Sequence, residues 1–211
     1  MNRRLGVLIS GRGSNLKAII DAIEEKRLDA SIAIVISNHA DAPGLDHARQ
    51  AGIQTLVIGH KSFATREDYD RALVKALNER QVGLVCLAGF MRRLSPVFID
   101  AFPDRILNIH PSLLPLHKGT DTHRRALLAG DLVSGCTVHV VTPELDDGPA
   151  VARSEVRIQA RDTPETLEQR VLAEEHRLYP AALEAYAMAL REGLVDVAPL
   201  PIGSSQALPD K

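Results

Sequence analysis

Short apolar runs alternate with segments of helical periodicity through the first half of this chain. That alternation constrains the fold more than any other feature. Leu5 to Ile9, Ile32 to Ile36, Thr55 to Ile58, Leu84 to Ala88 and Ile106 to Ile109 read as short buried strands, several rich in Val and Ile. Continuously apolar strands are expected where helices cover both faces of a parallel sheet. Helix candidates lie between them, at Asn15 to Lys26, Leu45 to Ala51, Arg66 to Glu79 and Pro96 to Ala101. The last has Ser95 as a plausible N-cap and Pro96 at the first helical position, where its missing N–H costs nothing. The expected fold is an open, doubly wound, Rossmann-like α/β sheet, mostly parallel.

The pattern changes after His123. A short helix, about Arg124 to Ala129, leads to the apolar runs Cys136–Val141 and Val151–Ile158, separated by the turn-rich Pro143 to Pro149. One of these runs is expected to pair antiparallel at the edge of the sheet. Thr163-Pro164-Glu165 then places cap, proline and acid in the order that opens a helix. This long C-terminal helix carries Leu167, Val171, Leu178, Leu183, Tyr186 and Leu190 roughly on one face; Pro180 should kink it and Gly193 end it. The expected organisation is one domain over residues 1–195 and a loosely ordered tail over 196–211.

With 211 residues, 45% of them apolar, the chain is long enough to bury one sizeable core. The 25 Lys and Arg against 27 Asp and Glu argue against a broad nucleic-acid surface or an acidic tail. The Leu5 to Ile9 run is too short for a signal peptide or a membrane span, so a cytoplasmic protein with neither membrane nor nucleic-acid partner is expected. Cys86 and Cys136 are far apart and form no CxxC, which predicts reduced thiols rather than a redox pair.

Asn108-Ile109-His110-Pro111-Ser112-Leu113-Leu114-Pro115 carries the strongest chemical signal. In an extended segment Asn108 and His110 project to the same side. An amide can donate to a developing oxyanion and an imidazole can exchange a proton near neutral pH, a pairing suited to acyl or formyl transfer. No ligand-spaced Cys or His cluster accompanies them, so no metal is needed. Ser10-Gly11-Arg12-Gly13-Ser14-Asn15-Leu16 follows the first strand and opens the first helix. It is either an anion-binding loop or a tight turn capped by Ser14. A dinucleotide site would want a third glycine and an acid where Ser37-Asn38 stands, and no Gly-Lys-Ser/Thr follows. Glu144-Leu145-Asp146-Asp147-Gly148-Pro149 reads as an exposed Asp-Gly turn unless folding brings Asp146 to His110.

Taken in order, SGxGSNL, AGFMRxLSP (Ala88 to Pro96), NIHPSLLP, HxxxxELDxGP (His139 to Pro149) and EHxxYP (Glu175 to Pro180) resemble the phosphoribosylglycinamide formyltransferases of purine synthesis. The likeness runs from about Leu5 to Tyr186. It implies a catalytic set of Asn108, His110 and Asp146. Gly13, Ser14 and Asn15 would hold the phosphate of glycinamide ribonucleotide, and Glu175 the ribose hydroxyls. Met91, Arg92, Leu94, Val141 and Asp146 would line the pocket for the co-substrate 10-formyltetrahydrofolate. The resemblance leaves a monomer and a homodimer equally open. A formyltetrahydrofolate hydrolase and a non-catalytic folate- or nucleotide-binding module are the alternatives. The GSNL loop speaks against the first, the joint presence of Asn, His and Asp against the second. Three departures stand out. Arg12 takes the place of a small polar residue and is either a phosphate contact or solvated. Leu172 stands where some members have a polar residue. Asp147 sets a second acid beside Asp146.

Overall fold

The structure, a computed structural model, describes residues 3–192. A seven-stranded sheet runs β3-β2-β1-β4-β5-β6-β7, with β1 Arg4–Ile9, β2 Ser31–Ser37, β3 Thr55–Val57, β4 Leu84–Leu87, β5 Ile106–His110, β6 Val133–Val140 and β7 Ala150–Arg157. Strands β1 to β5 are parallel neighbours; β6 runs antiparallel to both β5 and β7. The doubly wound sheet with an antiparallel C-terminal portion is therefore present. As expected, one of the two runs pairs antiparallel at the edge: β7 forms the edge against β6, which lies inside the sheet. The turn between the two runs makes them partners of each other, while β5 takes β6 as its other neighbour.

Helices α1 Ser14–Glu24, α2 Gly44–Gln50 and α6 Pro164–Glu192 cover one face, and α3 Arg66–Glu79 with α4 Pro96–Ala101 covers the other; α5 Thr122–Ala129 packs against α6. The strands feed both cores by simple alternation. Leu5, Val7, Ile9, Leu84, Cys86, Leu107 and Ile109 point to the α1/α6 side, while Leu8, Val85, Leu87 and Ile106 point to the α3/α4 side. Both cysteines are buried and unpaired, and burial pushes both thiols up.

Helix starts follow the expected chemistry unevenly. Thr163 caps α6 through a 3.3 Å bond from the Thr166 amide. Ser95 occupies the cap position of α4, but its hydroxyl makes no cap bond. Its amide donates instead to the buried Asp70 carboxylate at 2.6 Å. Pro180 sits within the continuous span of α6, whose described portion ends at Glu192, so Gly193 and the 196–211 tail fall outside the described residues.

One side chain ties this long helix to the sheet. Tyr179 is fully buried, and its hydroxyl lies 2.9 Å from the Leu107 carbonyl oxygen and 3.1 Å from that of Leu87. It straddles β4 and β5, at the last residue of the first and near the start of the second. Tyr179→Phe keeps the ring and removes the donor, so it should cost about 1–2 kcal/mol, the usual range for a lost buried hydrogen bond. Urea unfolding followed by circular dichroism measures this; an unchanged midpoint would show that the hydroxyl does not anchor the helix.

Candidate active site

Strand order reverses direction at β1, which lies between β2 and β4, and in open α/β sheets ligands gather at such a crevice. Two loops meet there. The Ser10 amide donates to the Gly89 carbonyl at 3.2 Å, and the Met91 amide donates to the Ser10 hydroxyl at 2.8 Å. The β1–α1 loop is tightly made. Gly13 is the N-cap with φ 71°, and a Cβ there would lie 2.5 Å from the Gly44 Cα. The position therefore needs glycine both for its left-handed backbone and for the close approach of α2. No side chain caps α1, so the alternative of a Ser14 cap is not what the turn uses. The first-turn amides are left to other acceptors, the usual basis of an anion site.

Asn15 and Glu175 form the floor beside this turn. Both are buried, and the Asn15 amide nitrogen donates to Glu175 at 2.6 Å, while the Asn15 carbonyl oxygen has no partner. Burial raises the Glu175 carboxyl above its ordinary value; the Asn15 bond opposes this, Glu168 adds to it and Arg12 opposes it. What reads in sequence as a solvated helix glutamate is a buried acid next to a helix N-terminus.

The second cluster lies across the crevice on the α3/α4 side. Alternation along β5 puts Asn108 and His110 on the same face as Ile106. Antiparallel pairing sets Asn108 opposite His139 and His110 opposite Thr137. The Asn108 amide nitrogen lies 3.1 Å from His139 Nε2, and His139 Nδ1 lies 3.0 Å from the Val140 carbonyl oxygen. The carbonyl can only accept, so Nδ1 carries the proton and Nε2 accepts from Asn108. Burial lowers the His139 pKa, with the Val140 carbonyl and Asp146 opposing and His110 assisting, which keeps this ring neutral. A neutral His139 thus orients the Asn108 amide and leaves its second N–H for another acceptor.

Asp146 reaches the same spot from the β6–β7 turn. Its Oδ2 lies 3.5 Å from His110 Nδ1 and its Oδ1 lies 3.7 Å from His139 Nε2. The Gly119 amide donates to Oδ2 at 2.9 Å. The turn is pressed onto β6, since a Cβ on Gly148 would sit 1.8 Å from the Val140 carbonyl oxygen. On its other side His110 Nε2 donates to the His117 carbonyl at 3.1 Å. Oxygen acceptors therefore face both ring nitrogens. His117 is itself paired with Asp131 at 2.6 Å, which anchors the 116–121 loop.

A cavity of about 650 Å³ opens in front of these groups. Asn108, His110, His139 and Asp146 form its polar end, and Phe90, Met91, Arg92, Leu94, Ile99 and Val141 form its longer, mostly apolar wall. A largely apolar pocket with a few convergent polar groups is the usual form of a small-molecule site. Among the expected residues, the structure brings Asn108, His110, Asp146, Met91, Arg92, Leu94 and Val141 to this cavity. Gly13, Ser14, Asn15 and Glu175 form a separate patch that adjoins it where Glu168, a cavity residue, meets Arg12. Sequence reasoning assigned no role to His139, His117 or Gly119. His139 stood inside the HxxxxELDxGP segment, but only strand pairing shows that it faces Asn108. Among the described residues no group of three His, Cys, Asp or Glu is placed to hold a metal ion, and no helix is long and apolar enough to cross a membrane.

A crevice of this kind in a mostly parallel α/β sheet, with an Asn-His-Asp cluster beside an anion-type turn, defines an enzyme of group-transfer type. The profile of the formyl transferase family matches residues 3–183, and the chain belongs to that family. It is 47% identical over 181 residues to the phosphoribosylglycinamide formyltransferase of Escherichia coli, covering 86% of this chain and 85% of that protein. It is also 48% identical over 184 residues to the trifunctional purine biosynthetic protein adenosine-3 of Homo sapiens. That match covers 87% of this chain but spans only 18% of the human protein. Among solved structures, glycinamide ribonucleotide transformylase 1 of Symbiobacterium toebii superposes with a TM-score of 0.88 at 47% identity, covering 89% of each chain.

The neutral state of His139 has a testable pH consequence. Its folded pKa lies below the ordinary 6.5, so as pH falls below 6.5 the unfolded chain takes up a proton that the folded one resists. Stability from this group is complete above 6.5 and is lost on acidification towards the lower folded value. Protonation would also replace the acceptor facing Asn108 with a donor. Wild type should therefore lose thermal stability between pH 7 and pH 5.5 more steeply than His139→Gln, as calorimetry across that range would show. Equal slopes would remove His139 from the account.

Proposed function

We propose that this protein transfers the formyl group of 10-formyltetrahydrofolate to the amine of glycinamide ribonucleotide, a step of purine synthesis carried out in the cytoplasm by a monomer or homodimer. The observation that carries the reading is the convergence of Asn108, His110 and Asp146 at the polar end of a large apolar cavity, beside the Gly13 turn. Residues 1–195 would form the catalytic domain and 196–211 a tail. Gly13, Ser14 and Asn15 would bind the ribonucleotide phosphate through backbone and side-chain donors. Glu175, a buried acceptor, would take the ribose hydroxyls. Met91, Arg92, Leu94 and Val141, with Asp146, would hold the folate.

The chemistry needs no covalent enzyme intermediate. The amine nitrogen attacks the formyl carbon, and the carbonyl electrons move onto oxygen. Asn108 donates its free N–H to that oxyanion, and the imidazolium of His110 stabilises it with a positive charge. Asp146 faces one side of the ring, its Oδ2 3.5 Å from Nδ1. The bond from the formyl carbon to the folate nitrogen then breaks. Its electron pair stays on that nitrogen, which receives the proton given up by the amine through a water oriented by Asp146. The products are formylglycinamide ribonucleotide and tetrahydrofolate. Neither Cys86 nor Cys136 takes part, since both thiols are buried and point into the α1/α6 core.

Incubation with both substrates should yield the formylated ribonucleotide, whereas formate alone would indicate a hydrolase and no turnover a binding module. His110→Ala should lower kcat by about 10²–10⁴-fold, the usual contribution of a positioned acid–base group, with folate binding retained. Asp146→Asn should also lower kcat by roughly 10²-fold on the same grounds. Asp147→Asn should be nearly silent, because that side chain faces Lys118. Near-normal turnover in folded His110→Ala would remove the histidine from the mechanism. In a separate comparison, Ser14→Ala with Asn15→Ala should raise KM for the ribonucleotide and spare that for the folate; the reverse pattern would overturn the placement of the phosphate.

A further inference from the structure

Arg12 and Glu168 meet at 2.8 Å across 156 residues of sequence, joining the β1–α1 loop to α6 above the Asn15–Glu175 pair. Both side chains are exposed, 77% and 44%. Exposed ion pairs of this kind contribute little to stability, so the fold gives no reason for the contact. The surroundings do. Glu165, Glu168, Leu172 and Glu175 recur at helical spacing and form one stripe of α6, and Glu165 and Glu168 also line the cavity. That wall is acidic and offers an anion no donor. Gly13, Ser14 and Asn15 bring only neutral donors, and the nearest cation on α1, Lys17, is bound to Asp21. A phosphate dianion seated at the uncapped start of α1 would face these carboxylates on the α6 side, where Arg12 is the cation in contact with them. At the same place the buried Asn15 carbonyl oxygen lacks a partner among the described residues, an unused acceptor for a hydroxyl of the ligand that carries the phosphate.

We infer that Arg12 is an additional ligand for the ribonucleotide phosphate and that Glu168 is the carboxylate that holds it until the phosphate arrives. The inference rests on the function proposed above and assigns a residue of this chain within it. The exchange is favourable in charge, because a dianion replaces a single carboxylate. A guanidinium also matches phosphate oxygens in a two-bond geometry. Glu168, being exposed, turns to water when released. The pair is then a competing clasp: Glu168 keeps Arg12 over the mouth of the patch and lowers the affinity that the arginine alone would give.

Steady-state kinetics on the full chain with both substrates tests this, with ribose 5-phosphate as a competitive probe of the phosphate position. Arg12→Ala should raise KM for the ribonucleotide about tenfold and weaken inhibition by ribose 5-phosphate to a similar degree, as expected for one charged contact in a partly exposed site. The folate KM and kcat should stay within about twofold, since the substituted group lies off the reacting atoms. Glu168→Gln should lower the ribonucleotide KM roughly threefold in the presence of Arg12 and not in Arg12→Ala, the coupling that a double-mutant cycle isolates. Raising ionic strength should increase KM more in wild type than in Arg12→Ala. An unchanged ribonucleotide KM in folded Arg12→Ala would overturn the assignment, and a Glu168→Gln effect that persists without Arg12 would overturn the clasp. Failure of the wild type to formylate the ribonucleotide would strike instead at the function proposed above.

Discussion

The antiparallel placement of β6 against β5 is the constraint on which the site depends. A sixth parallel strand would have met β5 through an evenly spaced ladder of slanted bonds, as β4 does. Reversal sets residues 108 and 139 opposite one another and 110 opposite 137. Cross-strand neighbours on one face are the closest side chains a sheet can offer. The same reversal carries the chain from the C-terminal end of β6 into a turn pressed against Val140, which delivers Asp146 to the imidazole. One change of strand direction therefore assembles an amide, two imidazoles and a carboxylate.

These groups sit in different surroundings. His139 is buried, bonded to its neighbouring carbonyl and kept neutral, so it can accept from Asn108. His110 has an acceptor oxygen on each side, which suits a ring with two N–H groups. Two histidines a strand apart thus sit differently, one accepting from an amide and the other facing an oxygen on each side. Glu175 extends the pattern, since a buried carboxyl raised by desolvation lies beside neutral donors. A lowered histidine and a raised carboxyl beside one crevice are perturbations characteristic of functional sites.

The two halves of the site lie on opposite sides of the sheet plane and meet only at strand ends. Tyr179 sets their relation. Its hydroxyl rests on carbonyls of β4 and β5, one helical turn beyond Glu175. The helix that carries the acid is consequently registered against the strand that carries Asn108 and His110. The spacing between the patch and the cavity is a property of this packing, and the Arg12–Glu168 contact marks where they join.

Local pattern by itself determined the element order. The apolar runs, the proline and glycine punctuation and the Thr163 cap reproduce the strands and helices to within a few residues, because backbone periodicity and burial act over short distances. Period two likewise placed Asn108 and His110 on one side before any fold was known. Sequence motifs also located the turn at Gly13 and the acids at 146 and 147. Tertiary structure alone decided how close Asp146 comes to His110, that His139 orients the amide, that Glu175 is buried, and that β6 rather than β7 is the inner strand. Each of these rests on contacts between residues far apart in the chain. The spacing of letters along a sequence carries no distance across a sheet, and burial, which turns an ordinary glutamate or histidine into a tuned one, exists only once the layers have closed.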